Sequence, residues 1–359
     1  MRLSHFETLR PVCPRCRRDH GADERLVVAR ILGEAHGQIT AGIIHCPACG
    51  QEYPILDGLP LLVPDVRAYV EQALPMLLAR RDLPDELESL LGDAAGPGSI
   101  MDGVRQHQSS YGWDHYAALD PAEAAPRPGD EAPGAVVRCL HAALGLLPQP
   151  LAGPVIEIGC GPGRTSFELA ARTDGLVLGV DLNVPLLGLG GHALLHRRIR
   201  YPRRRIGLVY DRRDFAIDLP GADRVDFWVC DALALPFAGP TFNFVTALNL
   251  LDCLTAPLDG LAAMGAVLHA KGQAVLATPY DWSPAATPVE HWLGGHSQRG
   301  PHGGCAEPLL RRILGEPAAA GGLRLTAEAA EIPWQVRLHD RALMRYRSHV
   351  VALEKSIAP

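Results

Sequence analysis

The chain lacks both a long uninterrupted apolar run and an apolar segment near its first residue. No stretch reaches the roughly 18 consecutive apolar residues that a transmembrane helix needs, and the first ten residues, MRLSHFETLR, contain no hydrophobic core of a secretory signal. We therefore expect a cytoplasmic protein with no membrane partner. The chain also has no positive net charge: the formal net charge of its 359 residues is −6. This argues against a protein built mainly to coat nucleic acid.

The nine cysteines do not form the even set that a closed disulfide framework requires. Four of them form two pairs, Cys13-x2-Cys16 and Cys46-x2-Cys49, and the other five are single. Each pair can form a tight knuckle that presents two thiolates, and two knuckles complete a tetrahedral site that suits structural Zn²⁺. A redox or vestigial arrangement of the pairs is the alternative.

The second cysteine pair is followed by the sequence Tyr-Pro-Ile-Leu-Asp-Gly-Leu-Pro at 53–60. The two knuckles and this tail resemble the Trm112-like zinc-ribbon family over about residues 10–66. The resemblance implies a zinc-ribbon domain at 1–66. In that family the small domain often supports or docks onto a methyltransferase.

The rest of the chain changes from helical to alternating patterns. Apolar spacing predicts one or two helices in 67–92, a linker rich in Ala, Pro and Gly in 93–135, and a helix in 136–147. Short apolar runs then alternate with helical segments, which favours a doubly wound parallel α/β sheet. The predicted strands are 155–158, 176–180, 226–229, 244–248 and 273–277.

Eight arginines lie between residues 197 and 213, in the long stretch between the second and third predicted strands. A solvated insertion is the simpler interpretation of this stretch. A phosphate-facing patch for RNA is the alternative, although the net acidity of the chain and the lack of interleaved aromatic residues weigh against it.

A glycine-rich turn connects the first predicted strand of the α/β region to a predicted helix. The pattern Gly159-x-Gly161-x-Gly163 permits positive φ and lets a ligand approach the backbone closely. Such a turn by itself is compatible with a dinucleotide, a phosphate or simple packing.

Three acidic residues near the ends of successive strands narrow these possibilities. Glu157 would favour the cationic end of a ligand and repel a pyrophosphate. Asp181 follows about 20 residues later, where an acid can accept both ribose hydroxyls. Asp231 is placed to accept from an adenine amino group. Each acid alone could be a helix N-cap, but their order favours one nucleoside-bearing cofactor.

These features together resemble the class I S-adenosylmethionine methyltransferases, through the segments EIGCGPG, VDLN, CDALALPF and TFNFVTALNLL over about residues 150–280. The resemblance implies a Rossmann-like, doubly wound seven-stranded sheet with S-adenosylmethionine as cofactor. It implies cofactor contacts from Tyr111, Glu157, Gly159, Gly161, Gly163, Arg164, Asp181, Leu182, Asp231, Ala232 and Asn249.

Three later segments resemble the 4-mercaptohistidine N1-methyltransferase domain of ovothiol synthase. They are Asn-Leu-Leu-Asp-Cys-Leu at 249–254, the Pro-Tyr-Asp-Trp to His-Trp-Leu-Gly-Gly stretch at 279–295, and Pro-Trp-Gln-Val-Arg-Leu-His-Asp-Arg at 333–341. Segment 108–116 also resembles the part before that domain, which closes over the cofactor. The resemblance implies catalytic roles for Asn249, Asp252, Tyr280 and His291. Each of these residues could instead serve packing or capping.

The sequence thus predicts three parts: the ribbon at 1–66, a helical linker and cofactor lid at 67–149, and the methyltransferase domain at 150–359. The predicted activity is N-methylation of a small imidazole thiol or selenol, as in an ovothiol-like or ovoselenol-like pathway. The first alternative is an RNA or protein methyltransferase that uses the ribbon for docking, although we regard nucleic acid as the weaker partner. The second is a binding module without catalysis. The sequence does not specify an oligomeric state.

Overall fold

The computed structural model describes residues 1–123 and 132–356. The helices are α1 Leu3–Leu9, α2 Pro14–His20, α3 Val66–Leu77, α4 Asp85–Ala95, α5 Ile100–Tyr116, α6 Ala135–Leu144, α7 Arg164–Ala170, α8 Val184–His196, α9 Pro257–Val267 and α10 Ala306–Leu314. The strands are β1 Val27–Ala35, β2 Gln38–His45, β3 Glu52–Leu56, β4 Leu59–Leu62, β5 Val155–Ile158, β6 Val177–Asp181, β7 Arg198–Ile206, β8 Val209–Ala216, β9 Val225–Cys230, β10 Phe242–Leu248, β11 Leu268–Thr278, β12 Leu323–His339 and β13 Ala342–Lys355.

Seven strands form the central sheet in the order β9-β6-β5-β10-β11-β13-β12, and β13 runs antiparallel to both of its neighbours. The five predicted strands correspond to β5, β6, β9, β10 and β11, so the predicted doubly wound seven-stranded fold is confirmed. Strands such as β5 are buried along their whole length because helices cover both faces of the sheet. The chain leaves β5 towards β6 on one side and returns to β10 on the other. This switch point opens a crevice at the carboxyl ends of the strands.

The N-terminal unit continues this sheet. Strand β4 pairs in parallel with β9, with Leu61 opposite Val229 and Leu62 opposite Cys230. Strands β3, β2 and β1 follow in antiparallel order, which gives one sheet of 11 strands. The cysteine-containing unit therefore packs on the α/β domain of its own chain.

Helix α5 occupies much of the stretch in which we expected a linker. Ser99 caps it by accepting a 3.1 Å hydrogen bond from the Asp102 backbone N–H. The sequence analysis did not predict this helix, because its buried face is largely polar and includes Asp102, Arg105 and Asp114. Apolar residues therefore do not recur at helical spacing. Residues 124–131 of the expected linker and residues 357–359 of the predicted methyltransferase domain lie outside the described residues.

The arginine-rich stretch forms the β7–β8 hairpin, and most of its positive charge is neutralised within the chain. Five arginines form ion pairs: Arg198 with Asp214, Arg203 with Glu123 and Asp340, Arg205 with Asp211 and Asp340, Arg212 with Asp85 and Glu88, and Arg213 with Asp120. The expectation of a merely solvated insertion is therefore wrong. The hairpin packs against α5 and β12, and four of its carboxylate partners, Glu88, Asp120, Glu123 and Asp340, are buried or half-buried.

The β12–β13 hairpin extends beyond the sheet. β13 pairs with β11 only from Thr278 to Gln273, whereas residues 332–348 pair only within the hairpin. Register shifts and a left-handed φ of +62° at Glu331 mark the transition. The extended part packs against α5 and α6 and therefore covers the carboxyl edge of the sheet. None of the helices within residues 1–123 and 132–356 has the length and apolar character needed to cross a bilayer.

Candidate cofactor and methyl-transfer site

The glycine-rich turn lies between β5 and α7, and its glycines differ in their surroundings. Gly161 has φ +51°, and a Cβ added there would meet nothing closer than the His115 ring at 3.9 Å. Gly163 has φ +82°, and a Cβ there would lie 2.3 Å from the Phe227 ring. Gly159 similarly packs under Leu250. Gly161 thus leaves its backbone open to a ligand, while its two neighbours hold the turn against the domain.

Asp181 lies at the end of β6 beside this turn. Its carboxylate accepts hydrogen bonds from the backbone N–H groups of Gly161 at 2.8 Å and Asn183 at 2.7 Å. Burial raises the pKa of Asp181 above its ordinary value. The next residue, Leu182, is 43% exposed although it is apolar. A half-buried carboxylate next to an exposed apolar side chain fits the ribose and adenine of a nucleoside.

Glu157 lies beneath the turn rather than on its surface. The side chain is 2% exposed, and its two oxygens accept hydrogen bonds from the Thr165 and Ser166 hydroxyls in the first turn of α7. Burial raises the pKa of Glu157 to about 7. In this geometry the carboxylate joins β5 to α7 and holds the turn in place.

Three further residues predicted to contact the cofactor follow the strands β5 and β9 in the chain. Asp231 accepts a 2.9 Å hydrogen bond from the Leu233 backbone N–H, which fixes the loop after β9. Ala232 lines a small apolar cavity together with Ile158 and Leu250. Arg164 directs its guanidinium to Glu168 at 2.5 Å.

Helix α5 covers the glycine-rich turn. The Tyr116 hydroxyl donates a 2.7 Å hydrogen bond to Pro162 O, and the Arg164 backbone N–H donates to His115 Nδ1 at 3.3 Å. Burial lowers the pKa of His115 to about 3, which keeps the ring neutral and able to accept. Tyr111, one helical turn before His115, is 40% exposed. Burial and the nearby Cys253 and Asp181 raise its pKa to about 12.

Asp252 follows β10 and is 3% exposed. Its Oδ2 accepts a 2.7 Å hydrogen bond from the Asp281 backbone N–H, and the Thr278 side chain also interacts with the carboxylate. Oδ1 has no partner of hydrogen-bond distance and angle among the described residues. Burial raises the pKa of Asp252 above its ordinary value. A buried carboxylate oxygen without a donor is costly unless a ligand supplies one.

Asn249 and Tyr280, at the ends of β10 and β11, both adopt left-handed backbone conformations, with φ of +50° and +56°. Non-glycine residues in this region are strained and often mark functional sites. Asn249 Oδ1 accepts a 3.0 Å hydrogen bond from the Ser348 hydroxyl.

A hydrogen-bonded chain leads from Tyr280 into the β12–β13 hairpin. The Tyr280 hydroxyl lies 2.7 Å from His349 Nδ1, and His349 Nε2 lies 3.1 Å from Glu328 Oε2. Arg311 donates to both oxygens of Glu328 at 3.0 and 2.9 Å. The sequence analysis missed His349 and Glu328, because only the strand pairing brings them to Tyr280.

The four residues with predicted catalytic roles do not all converge. Asp252, Asn249 and Tyr280 occupy the carboxyl ends of adjacent strands β10 and β11. His291 is exposed, and its Nδ1 lies 2.6 Å from Thr255 O. This backbone carbonyl does not belong to the group formed by the other three residues. Tyr346 of β13 lies near this group, and burial together with the neighbouring Asp281 raises its pKa to about 12.

Residues 156–276 match the sequence model of the family described as methyltransferase domain. This segment is a class I S-adenosylmethionine-dependent methyltransferase domain. Its cofactor is S-adenosylmethionine, and the arrangement of Gly161, Asp181 and Leu182 fits that molecule. No curated protein matches the chain.

Several solved structures resemble the methyltransferase domain at low identity. The phosphoethanolamine N-methyltransferase 2 of Haemonchus contortus, solved with S-adenosyl-L-methionine, is 18% identical, with a TM-score of 0.31 over 40% of this chain and 28% of that one. A Methanosarcina mazei methyltransferase is also 18% identical, with a TM-score of 0.40 over 61% and 97% of the two chains. A chain of a complex containing the Haloferax volcanii Trm112 methyltransferase activator is 14% identical, with a TM-score of 0.40 over 62% and 90%.

The four paired cysteines converge in the N-terminal unit. Cys13 Sγ lies 3.7 Å from Cys49 Sγ, and Cys16 Sγ lies 3.8 Å from Cys46 Sγ, and all four sulfurs lie within 4.8 Å of one another. A tetrahedral Zn²⁺ site with bonds of about 2.3 Å has sulfur–sulfur edges of about 3.8 Å. The cluster is therefore compatible with a zinc ribbon. The Tyr53 hydroxyl lies 3.1 Å from Cys13 Sγ and supports that ligand from outside.

Proposed function

We propose that this protein is an S-adenosylmethionine-dependent N-methyltransferase acting on a small imidazole thiol or selenol, such as a mercaptohistidine-like compound. The observation that carries the proposal is the buried carboxylate of Asp252 with its unpartnered Oδ1. It lies at the carboxyl edge of the sheet, where ligands of open α/β folds bind. An imidazole N–H is a donor of the right size and charge for this oxygen.

Asp252 would select one nitrogen of the ring for reaction. When it accepts the N–H of one ring nitrogen, the other nitrogen keeps its lone pair free for attack. The bound cofactor supplies a methyl group activated by its sulfonium. As the new N–C bond forms and the S–C bond breaks, positive charge develops on the ring, and the carboxylate stabilises it. The raised pKa of Asp252 would favour transfer to it of the proton that the methylated ring releases.

Aromatic side chains would position the ring and exclude water. Tyr111 from α5 and Tyr346 from β13 both lie close enough to Asp252 for its negative charge to raise their pKa. The Tyr280 hydroxyl is oriented by His349, which Glu328 in turn fixes. Because Nε2 of His349 donates to Glu328, its Nδ1 accepts the Tyr280 hydroxyl proton, and Tyr280 would offer the substrate its aromatic ring and an accepting hydroxyl oxygen. Positioning and exclusion of water are the main requirements for an in-line methyl transfer.

The remaining assignments form part of the same proposal. The zinc is structural, because four thiolates leave no open coordination position. Residues 1–66 act as the ribbon, 67–149 as linker and lid, and 150–359 as the methyltransferase domain, in a cytoplasmic protein. The predicted contacts of Tyr111, Glu157, Arg164, Asp231, Ala232 and Asn249 with the cofactor belong to this proposal as well. So does a role for His291 in binding a substrate carboxylate or shuttling a proton.

Methylation of RNA or a protein is the second candidate, and one observation favours it. Strand β1 forms an edge of the 11-stranded sheet, and its Ile31 and Leu32 are 44% and 61% exposed. An exposed apolar edge strand is a ready surface for a macromolecular partner. The ion pairs of the arginine-rich hairpin weaken the RNA version of this candidate, since that version needs free positive charge.

A methyl-transfer assay tests both candidates. The protein and labelled cofactor are incubated in separate reactions with mercaptohistidine isomers, their selenium analogues, histidine, bulk RNA and bulk protein, and the products are analysed by mass spectrometry. We expect an N-methylated imidazole from the thiol or selenol compounds only. We expect Asp252→Asn to lower kcat by at least about 100-fold, while the exposed Asp259→Asn control leaves it unchanged. Label found only in RNA or protein would overturn the proposal.

A further inference from the structure

A second cavity lies between helices α3, α4 and α5 and the α8–β7 region. Its volume is about 750 Å³, and α3, α4 and α5 form one wall while α8 and β7 form the other. Apolar side chains dominate the lining, among them Met76, Met101, Val104 and Leu189. None of the residues assigned above to the cofactor, the metal or methyl transfer lines it. The volume lies in the range of about 300–1,000 Å³ that is typical of small-molecule sites.

The cavity is open to solvent along one side. Leu91 and Ile100 belong to its lining and are 48% and 61% exposed. Exposed leucines continue from this opening along α3 and α4 at Leu74, Leu78 and Leu87. An apolar molecule therefore has a direct route into the cavity.

The lining carries an excess of positive charge. Five arginines contribute to it, namely Arg80, Arg81, Arg105, Arg200 and Arg212, together with one acid, Glu88. Arg212 forms ion pairs with Asp85 and Glu88, and Arg80 with Asp82. Arg81 forms a longer ion pair with Asp57 at 3.8 Å, and Arg200 donates to the Leu83 carbonyl.

Arg105 is the most informative of these residues. It is 6% exposed, and its Nε forms no hydrogen bond within residues 1–123 and 132–356. Glu88 approaches it only to 3.8 Å, and the guanidinium stacks 4.0 Å above the Tyr210 ring. A buried N–H donor without an acceptor is costly. An acidic oxygen of a ligand in the cavity would supply the missing acceptor.

We propose that this cavity binds an amphipathic anion, with a hydrocarbon portion among the apolar side chains and a carboxylate or phosphate group at Arg105 and Arg81. Guanidinium groups pair well with both kinds of head group, since each presents two or more oxygens to the planar fork. The ligand is distinct from the methyl acceptor proposed above.

Isothermal titration calorimetry with the full-length protein tests this site, using dodecanoate and dodecyl phosphate below their micelle concentrations. We expect saturable binding of both anions at one site per chain, and at least tenfold weaker binding of dodecyltrimethylammonium and dodecanol. The comparison of the two anions distinguishes a carboxylate from a phosphate head group. Equal affinity for the anionic and cationic chains would overturn the proposal.

Two pairs of variants locate the binding. Val104→Trp fills the cavity and should weaken dodecanoate binding at least tenfold, whereas Leu90→Trp, at an exposed position outside the lining, should not. Arg105→Gln should remove most of the preference for anions, and Arg67→Gln is its exposed control. Circular dichroism establishes that each variant is folded, and Met76→Trp and Arg81→Gln replace any that is not. Wild-type affinity in a folded cavity-filling variant would exclude this site.

Discussion

Loss of zinc from the N-terminal unit should destabilise the whole methyltransferase domain and weaken its cofactor binding. Cys46→Ser removes one of the four clustered thiolates. Because β4 of this unit pairs with β9 of the central sheet, unfolding of the ribbon would expose the edge of that sheet. We therefore expect the N-terminal unit and the methyltransferase domain to be destabilised together, and not the N-terminal unit alone.

The size of the effect follows from the junction between β4 and the domain. Leu59, Leu61 and Leu62 are 2%, 0% and 0% exposed there. Burial of a leucine side chain contributes about 1.5–3 kcal/mol, and a compact unfolded chain lowers that figure. The three leucines therefore contribute about 5 kcal/mol, which corresponds to a fall in Tm of roughly 10 °C.

Metal analysis and calorimetry test this expectation, with Cys305→Ser as the control because Cys305 is exposed and outside the cluster. We expect Cys46→Ser to contain no stoichiometric zinc and to melt in one transition at lower temperature, with weaker binding of S-adenosylmethionine. Full zinc content in Cys46→Ser would refute the four-thiolate site. A separate domain transition at the wild-type temperature would refute the coupling through β4.

Three further predictions concern the candidate site. Asp181→Ala should weaken S-adenosylmethionine binding by at least tenfold through lost ribose hydrogen bonds, and unchanged affinity in calorimetry would remove that assignment. Glu157 has a folded-state pKa of about 7 against an ordinary 4.5, so the folded state binds the extra proton and stability should fall as pH rises from about 4.5 to 7. Glu157→Gln should flatten that part of the profile in denaturant titrations without cofactor, and an unchanged profile would contradict the buried-acid account. His349→Gln should lower kcat without changing cofactor affinity, as should Tyr280→Phe, and additive losses in the double variant would show that the two residues do not act as a chain.

The sequence predicts the parallel core of the fold well because its signals are local. Each of the strands β5, β6, β9, β10 and β11 is a short apolar run, and each glycine or acid of the cofactor turn lies next to its strand in sequence. The two-residue spacing within each cysteine pair can likewise be read directly from the sequence. These patterns need no knowledge of long-range pairing.

The missed features depend on contacts between distant parts of the chain. Nothing near Tyr280 indicates that His349, 69 residues later, lies 2.7 Å from its hydroxyl, because the antiparallel position of β13 decides that contact. Helix α5 was missed because it buries charged and polar groups. The arginine-rich hairpin was misjudged because its carboxylate partners, such as Asp120 and Asp340, lie far away in sequence.

The N-terminal unit also holds the loop that follows β9. Strand β9, which β4 extends, ends at Cys230, and Asp231 follows at once. The loop after Asp231 is held by the ribbon itself, since the Val12 backbone N–H donates to Pro236 O at 2.9 Å and Arg17 donates to the carbonyls of Leu235 and Phe237. Arg17 lies in α2, between the two cysteine pairs, and Val12 directly precedes Cys13. Thiolates that hold α2 in place therefore also hold the loop next to Asp231, so that metal content and cofactor affinity should change together.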